Sequence, residues 1–397
     1  MTENKLIIKE RILNKKLASV FDEFGIKNFR LISLGNSIAS GYSMVRTTKP
    51  LLLRNSSLQE IMALYDINLE RYHFARAQNN NDEHIFEWLT QNIKESDIYQ
   101  MNRQDYSNSA SSMKTHGLTE EKITEYYPKK PKYDNGLQDL VLSSDDKTAN
   151  IVVYNGCTGS FLDNITRKGK FQNKLFYGIN QDATSLEATL KFIQNSNRVN
   201  GTNTQVYICG APNFLGLGIS EAINRKLKKI VKKYANTVYV KPIKSKFFYK
   251  EYVDDNDEKN TENSQSFLKR HLPSCDIHYD EKEYIAFNNA ITKSITESYL
   301  ATQSLINIDR RLYYLSKNME LYFPEVIGDK NAIAGMLENI LMAEEPQISK
   351  TPSPNQTIKN IFSYVNERYP SDFYYADKSE IKSSFDKIRA KRDWKTK

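Results

Sequence analysis

Short apolar runs alternate with helical patterns through the middle of the chain. Continuous apolar stretches at 150–154, 205–209 and 237–240 predict buried strands, while residues 182–195 and 220–234 have the apolar spacing of helices. Strands separated by helices of this length form βαβ units, which build a parallel sheet. The pattern therefore predicts an α/β fold.

The N-terminal part of the chain adds further elements to this pattern. Residues 1–27 have helical spacing and lead into a β-type run at 29–34 that ends at Gly35. Helical spacing returns at 58–75, and again in a helix through Ile85 to Ile93. Residues 114–148 are rich in Pro, Ser and charged residues, which predicts a loop with little regular structure.

The strand and helix alternation stops after about residue 298. Residues 299–343 and 357–392 have helical patterns, with a Pro/Ser-rich break at 351–354. We therefore expect a helical C-terminal appendage after an α/β domain. The predicted regions are 1–298, with a core at about 28–298 and a helical and loop insertion at about 44–148, and 299–397.

Composition and charge narrow the possible classes of protein. The chain has 397 residues, 39% of them apolar and 26% charged, which is typical of a globular protein and excludes an intrinsically disordered one. The net charge of +8 is concentrated at 225–233 and 389–397. Such runs are usually solvated surface, but they also fit an anionic partner. No nucleic-acid-binding motif accompanies them, so we do not expect nucleic acid as a partner.

Cysteine usage and the apolar runs predict a location and exclude some sites. The three cysteines, Cys157, Cys209 and Cys275, are too few for a disulfide framework and lack the spacing of a zinc site. The acidic stretch 254–265 lacks the glycine of a calcium-binding EF-hand loop. No apolar run has the length of a membrane span or signal peptide. We expect a cytoplasmic protein with no membrane span, no metal and no cofactor.

A serine follows the first predicted strand almost immediately. Ser37 comes three residues after Leu34, and Gly35 between them permits a tight turn. The carboxyl edge of an open parallel sheet is where such folds bind ligands, and a following helix N-terminus favours developing negative charge. Ser37 is therefore a candidate nucleophile, with a helix N-cap as the alternative interpretation.

A histidine in the last part of the α/β region is the natural partner for this serine. The chain has only five histidines, and His278 precedes a predicted helix and follows Asp276 by two residues. Serine, histidine and a carboxylate are the components of an activated nucleophile, in which the carboxylate orients the imidazole. A surface histidine is the alternative interpretation.

These segments resemble the conserved blocks of the SGNH/GDSL hydrolases. Residues 35–41, Gly-Asn-Ser-Ile-Ala-Ser-Gly, resemble the family's first block, with Asn36 where Asp is usual. Residues 276–278 with Tyr284 resemble its last block, although the family commonly has Asp at the position of Cys275. The strand and small-Pro pair at 205–213 resembles a third family feature.

The middle blocks match the family less well. The best second block is 106–112, which places Ala110 at the residue that donates its backbone N–H to the oxyanion. The third block places Gly159 where the family has Asn, with Thr158 beside it, so a side-chain amide donor is lost. An alternative alignment uses residues 177–181 as the third block and restores the amide as Asn180.

The resemblance implies a fold and an activity. The fold is a flavodoxin-like three-layer α/β/α sandwich with a parallel sheet, and the activity is cofactor-independent hydrolysis of acyl esters. Ser37 would be the nucleophile, His278 the base and Asp276 its partner, with Ala110 and Gly159 at the oxyanion. We expect a polar substrate with a short acyl or O-acetyl group, such as a glycan. The alternative is a weakly active or inactive relative that binds an anionic partner as a scaffold.

Overall fold

The computed structural model describes most of the α/β core and the C-terminal helices. The described residues are 3–35, 55–73, 137–155, 175–212, 219–243, 279, 281–322, 329–368 and 378–391.

A five-stranded parallel sheet forms the centre of the described structure, which confirms the α/β fold. Its strands lie in the order β2-β1-β3-β4-β5, and every neighbouring pair is parallel. All eight residues of β3 are buried, as expected for a central strand covered on both faces. The strands are β1 (Asn28–Gly35), β2 (Asn68–His73), β3 (Thr148–Asn155), β4 (Gln205–Cys209) and β5 (Thr237–Val240).

Helices cover both faces of this sheet and continue beyond it. No helix in the described parts of the chain is both long enough and apolar enough to cross a membrane. The helices are α1 (Glu3–Glu23), α2 (Ser56–Ala63), α3 (Leu137–Leu142), α4 (Leu175–Val199), α5 (Ile219–Val231), α6 (Glu281–Tyr322), α7 (Lys330–Ile348), α8 (Pro354–Arg368) and α9 (Lys378–Lys391).

Alternation along the strands divides the core between the two faces. In β3, Ile151 and Val153 pack with α1, α2 and the first half of α6, whereas Val152 and Tyr154 pack with α3, α4 and α5. Successive side chains of a strand point to opposite faces, so the two apolar clusters lie on either side of the sheet. The result is three layers, with the sheet in the middle.

Two predictions from the sequence are wrong in this part of the fold. The predicted helix at 58–75 is a short helix, α2, followed by the edge strand β2. Asp66 has φ of 54°, which ends the helical conformation before the strand begins. The predicted loop at 114–148 contains α3 and the start of β3 among its described residues. The predicted helix through Ile85 to Ile93 lies outside the described residues.

The helix α6 runs without interruption from the sheet into the C-terminal region. It has 42 residues and passes through position 298, so residues on both sides of that position share one helix. Its second half packs with α7, α8 and α9 in a third apolar cluster. The break at 351–354 is confirmed, because α7 ends at Ile348 and Pro354 begins α8.

A buried ion pair fastens the C-terminal helices to the α/β layers. Arg198 on α4 donates from Nε and Nη2 to the two carboxylate oxygens of Asp309 on α6, at 2.7 and 2.8 Å. The Tyr364 hydroxyl on α8 donates to the same carboxylate at 3.0 Å. The side chains of Arg198 and Asp309 are only 6% and 2% exposed. Three helices are therefore joined through one carboxylate.

We expect Asp309→Ala to destabilise the protein strongly. Removing one partner of a buried pair leaves the other charge without compensation, which costs about 3–5 kcal/mol. The measurement is the free energy of unfolding from urea titration. The control is Glu297→Ala, which breaks the exposed Lys293–Glu297 pair on the same helix and should cost no more than about 0.5 kcal/mol. Equal losses in the two variants would contradict a fastening role for the buried pair.

Candidate functional site

The carboxyl ends of the parallel strands meet at one edge of the sheet. The chain leaves β1 for β2 on one side, and β3 pairs with β1 on the other side. The order of strands therefore reverses between β1 and β3, and open parallel sheets bind ligands at such a switch point. Gly35 and Asn155 are the last residues of these two strands and are partners in the register.

Gly35 makes an unusually close approach to β3 at this point. Its φ is +130°, and a Cβ added there would overlap the carbonyl group of Asn155. An L-residue is strained at this φ, and the neighbouring backbone leaves no space for a side chain. The structure therefore requires glycine at the end of β1, and the sequence has it there, two positions before Ser37.

Asn155 places an unusual amide at the same edge. It is completely buried, and neither its Oδ1 nor its Nδ2 has a hydrogen-bond partner among the described residues. A buried amide without a partner costs free energy, so it calls for an explanation. Asn155 is not among the site residues that the sequence predicts. The available signal was an amide directly after the apolar run 151–154.

A buried tyrosine, Tyr279, follows the candidate histidine in the sequence. Tyr279 has no exposed surface, and its ring centroid lies 5.3 Å from those of Tyr284 and Phe287. It packs in one cluster with Cys209 and Val240, the last residues of β4 and β5. Burial raises the pKa of Tyr279, and the nearby Cys209 and Glu283 raise it further. The residue that follows His278 in the sequence is thus held at the carboxyl edge.

The described structure contains little other reactive chemistry at this edge. Burial raises the pKa of the Cys209 thiol, which keeps it in the unreactive protonated form. Among the residues that the structure describes, no group of three or more His, Cys, Asp and Glu residues is arranged to hold a metal ion.

Most of the predicted site residues fall outside the described part of the chain. Asn180 is described and lies within α4, whereas the alternative alignment requires a turn that follows a strand. That alignment therefore does not fit the local structure. The residues outside the described ranges are Ser37, Ala110, Thr158, Gly159, Asp276 and His278.

Comparison with known proteins identifies no relative of this chain. No protein-family model matches the chain, and neither the curated proteins nor the solved structures contain a match.

We expect Gly35→Ala to cost about 3 kcal/mol or more in unfolding free energy, because strain at positive φ and overlap with β3 add together. Urea titration measures the loss. The control is Gly335→Ala in α7, where nothing lies within 4 Å of the added Cβ. There alanine should stabilise the helix by about 0.5–1 kcal/mol. A Gly35→Ala protein as stable as the wild type would contradict the close approach.

Proposed function

We propose that the chain is a serine hydrolase of the SGNH/GDSL type that cleaves acyl esters. The observation that carries the proposal is the pairing of Gly35 with Asn155 at the switch point of the sheet. Ser37 follows Gly35, the end of β1, by two residues. The proposed third block, with Thr158 and Gly159, follows Asn155, the end of β3. A nucleophile and its oxyanion donors must both lie about 3 Å from one reacting group, and two strand ends that are neighbours in the sheet support such an arrangement.

The order of strands supports the finer description of the fold. The parallel order 2-1-3-4-5 is that of flavodoxin-like sheets, which bind their ligands at the β1/β3 switch point. With helices on both faces, the described core fits the flavodoxin-like three-layer sandwich that the SGNH/GDSL resemblance implies.

The lengths of the intervening chain would allow Ser37 and His278 to approach each other. The ends of β1 and β4 are two strand spacings apart, about 10 Å. Two residues after Gly35 extend the chain by at most about 7 Å, and the Cα of His278 is about 3.8 Å from that of the anchored Tyr279. These lengths leave room for a hydrogen bond between the two side chains.

Asn155 is our candidate for the amide that the third block lacks. Gly159 stands where the family has an asparagine, so this chain needs another donor for the oxyanion. The Asn155 amide lies at the end of the central strand and has no described partner to occupy its N–H groups. An amide held in place by a buried strand is a preorganised donor, which is the property that oxyanion stabilisation requires.

The proposed reaction is acyl transfer to serine followed by hydrolysis. Ser37 Oγ attacks the ester carbonyl while His278 takes its proton, and Asp276 holds the imidazole in the correct tautomer. The carbonyl electrons move onto the oxyanion, which accepts hydrogen bonds from Asn155 and from the N–H groups of Ala110 and Gly159. The protonated His278 then gives its proton to the leaving alcohol. Water, deprotonated by His278, then attacks the acyl carbon. The bond between this carbon and Ser37 Oγ breaks, His278 returns the proton to Oγ, and the released acid carries the hydroxyl of the water. We propose short acyl or O-acetyl groups on a polar substrate such as a glycan.

We expect Ser37→Ala to abolish both ester hydrolysis and covalent labelling. Without the hydroxyl there is no nucleophile to form the acyl-enzyme. The measurements are turnover of p-nitrophenyl acetate and butyrate and in-gel labelling by a fluorophosphonate. Ser40→Ala is the matched control, because it removes a serine three residues away in the same segment. It should retain labelling and turnover.

Labelling that persists in a folded Ser37→Ala protein would contradict this assignment, as would a wild-type protein that is never labelled. His278→Asn should remove the labelling as well, whereas His271→Asn, seven residues earlier in the chain, should retain it. A wild-type protein that labels without hydrolysing simple esters would keep the nucleophile and exclude these esters as substrates.

We expect Asn155→Ala to lower kcat by about 10²–10³, with little change in KM. The amide contributes where charge develops, not where the ground-state ester binds. The control is Asn236→Ala. Asn236 is also fully buried with neither amide atom partnered among the described residues, but it precedes β5 at the opposite edge. Equal effects of both variants on kcat would contradict a role for Asn155 in the reaction.

The second candidate function is a scaffold that binds an anionic partner. The net charge of +8 and the basic residues of α5 favour it, and this function needs neither Ser37 nor His278. It becomes the better account if the folded wild-type protein neither labels nor hydrolyses esters.

A further inference from the structure

A cavity of about 360 Å³ lies between α4, the end of α5 and the end of α8. Besides the end of α8, its lining comes from two segments. One is the C-terminal half of α4, which leads into β4, and the other is residues 232–234, which lead into β5. The cavity is therefore near the amino edge of the sheet, away from the edge where Gly35 and Asn155 meet. Its volume falls within the range of small-molecule sites in proteins.

Positive charge dominates the lining of this cavity. Among the described residues, five basic side chains line it, against one carboxylate, that of Glu367. Arg198 is paired with Asp309 and Lys233 with Glu187. The remaining three, Lys191, Lys232 and Arg368, have no ion-pair partner among the described residues.

Helix termini account for only part of this charge. Lys232 and Arg368 lie at the C-terminal ends of α5 and α8, where a base normally compensates the partial negative charge of the carbonyl groups. Lys191 lies in the interior of α4, so no helix terminus explains its position. Three separate elements direct unpaired cations at one cavity.

The floor of the cavity is rigid and polar. Gln194 and Arg198 are almost completely buried, and both are bonded to the network around Asp309 and Tyr364. The Tyr234 hydroxyl donates to the carbonyl oxygen of Glu187 at 3.2 Å. Buried, hydrogen-bonded side chains form the base, and Lys191, Lys232 and Arg368 are exposed around it. Binding of an anion would therefore restrict mainly these three side chains.

We propose that this cavity binds the phosphate group of a small phosphorylated ligand. Two lysines and an arginine supply point charges and a planar fork of donors, the combination that suits phosphate oxygens. The site is separate from the proposed esterase site and does not depend on it. A nucleic acid strand would instead be expected to use cations spread over the surface.

The test is isothermal titration of the full chain with inorganic pyrophosphate and with inorganic phosphate. The wild-type protein should bind pyrophosphate at one site. The triple variant Lys191→Gln, Lys232→Gln and Arg368→Gln should bind it about tenfold more weakly or worse. The control is the triple variant Lys15→Gln, Lys16→Gln and Lys359→Gln, which loses the same charge at exposed positions of α1 and α8 outside the cavity. It should bind as the wild type does.

Thermal melting of both triple variants checks that each is folded. The proposal is overturned if the wild type does not bind pyrophosphate, or if the two triple variants lose affinity equally. It is also overturned if a short single-stranded oligonucleotide binds more tightly than pyrophosphate and is weakened equally by both sets of changes. Pyrophosphate binding should be unchanged in Ser37→Ala, so failure of the esterase proposal and failure of this one are distinguishable.

Discussion

The close pairing of β1 with β3 is the contact on which the rest of the molecule depends. The two strands are hydrogen-bonded in parallel along the whole of β1, and their last residues, Gly35 and Asn155, meet where only glycine fits. Both faces of β3 are buried, so helices must cover the sheet on either side. The same pairing brings two chain exits together at the switch point. The fold thus forms a switch point of the kind at which open parallel sheets bind ligands.

Sequence patterns predict the central strands well because burial on both faces makes them continuously apolar. The predicted strands at 205–209 and 237–240 coincide with β4 and β5. The edge strand β2 was missed because only one of its neighbours is a strand, and its sequence, Asn-Leu-Glu-Arg-Tyr-His, is largely polar. Its apolar residues also continue the helical spacing of α2. The turn at Asp66 depends on a backbone angle that residue spacing does not reveal.

The candidate site was predictable from sequence only as far as residue types and strand ends allow. A serine after β1 and a histidine before α6 are visible as patterns, and they stay predictions. The state of the Asn155 amide was not predictable, because being buried without a partner is a property of the packed structure. The anchoring of Tyr279 is likewise a tertiary feature, since it depends on contacts with α6 and with the ends of β4 and β5.

The C-terminal helices are tied to the α/β layers at the amino side of the sheet. The carboxylate of Asp309 joins α4, α6 and α8. Arg198, which donates to this carboxylate, also lines the basic cavity. The proposed hydrolase site and the proposed anion site therefore lie at opposite edges of the sheet. The first half of α6 packs against the sheet and its second half packs in the C-terminal apolar cluster, so one continuous helix belongs to both regions.

The most direct test of this account is a crystal structure of the protein after reaction with a fluorophosphonate. The account predicts a phosphonyl group on Ser37 Oγ, with its non-ester oxygen about 2.7–3.1 Å from the Asn155 amide nitrogen. An adduct on a different residue, or a Ser37 adduct whose oxygen points away from the end of β3, would contradict it.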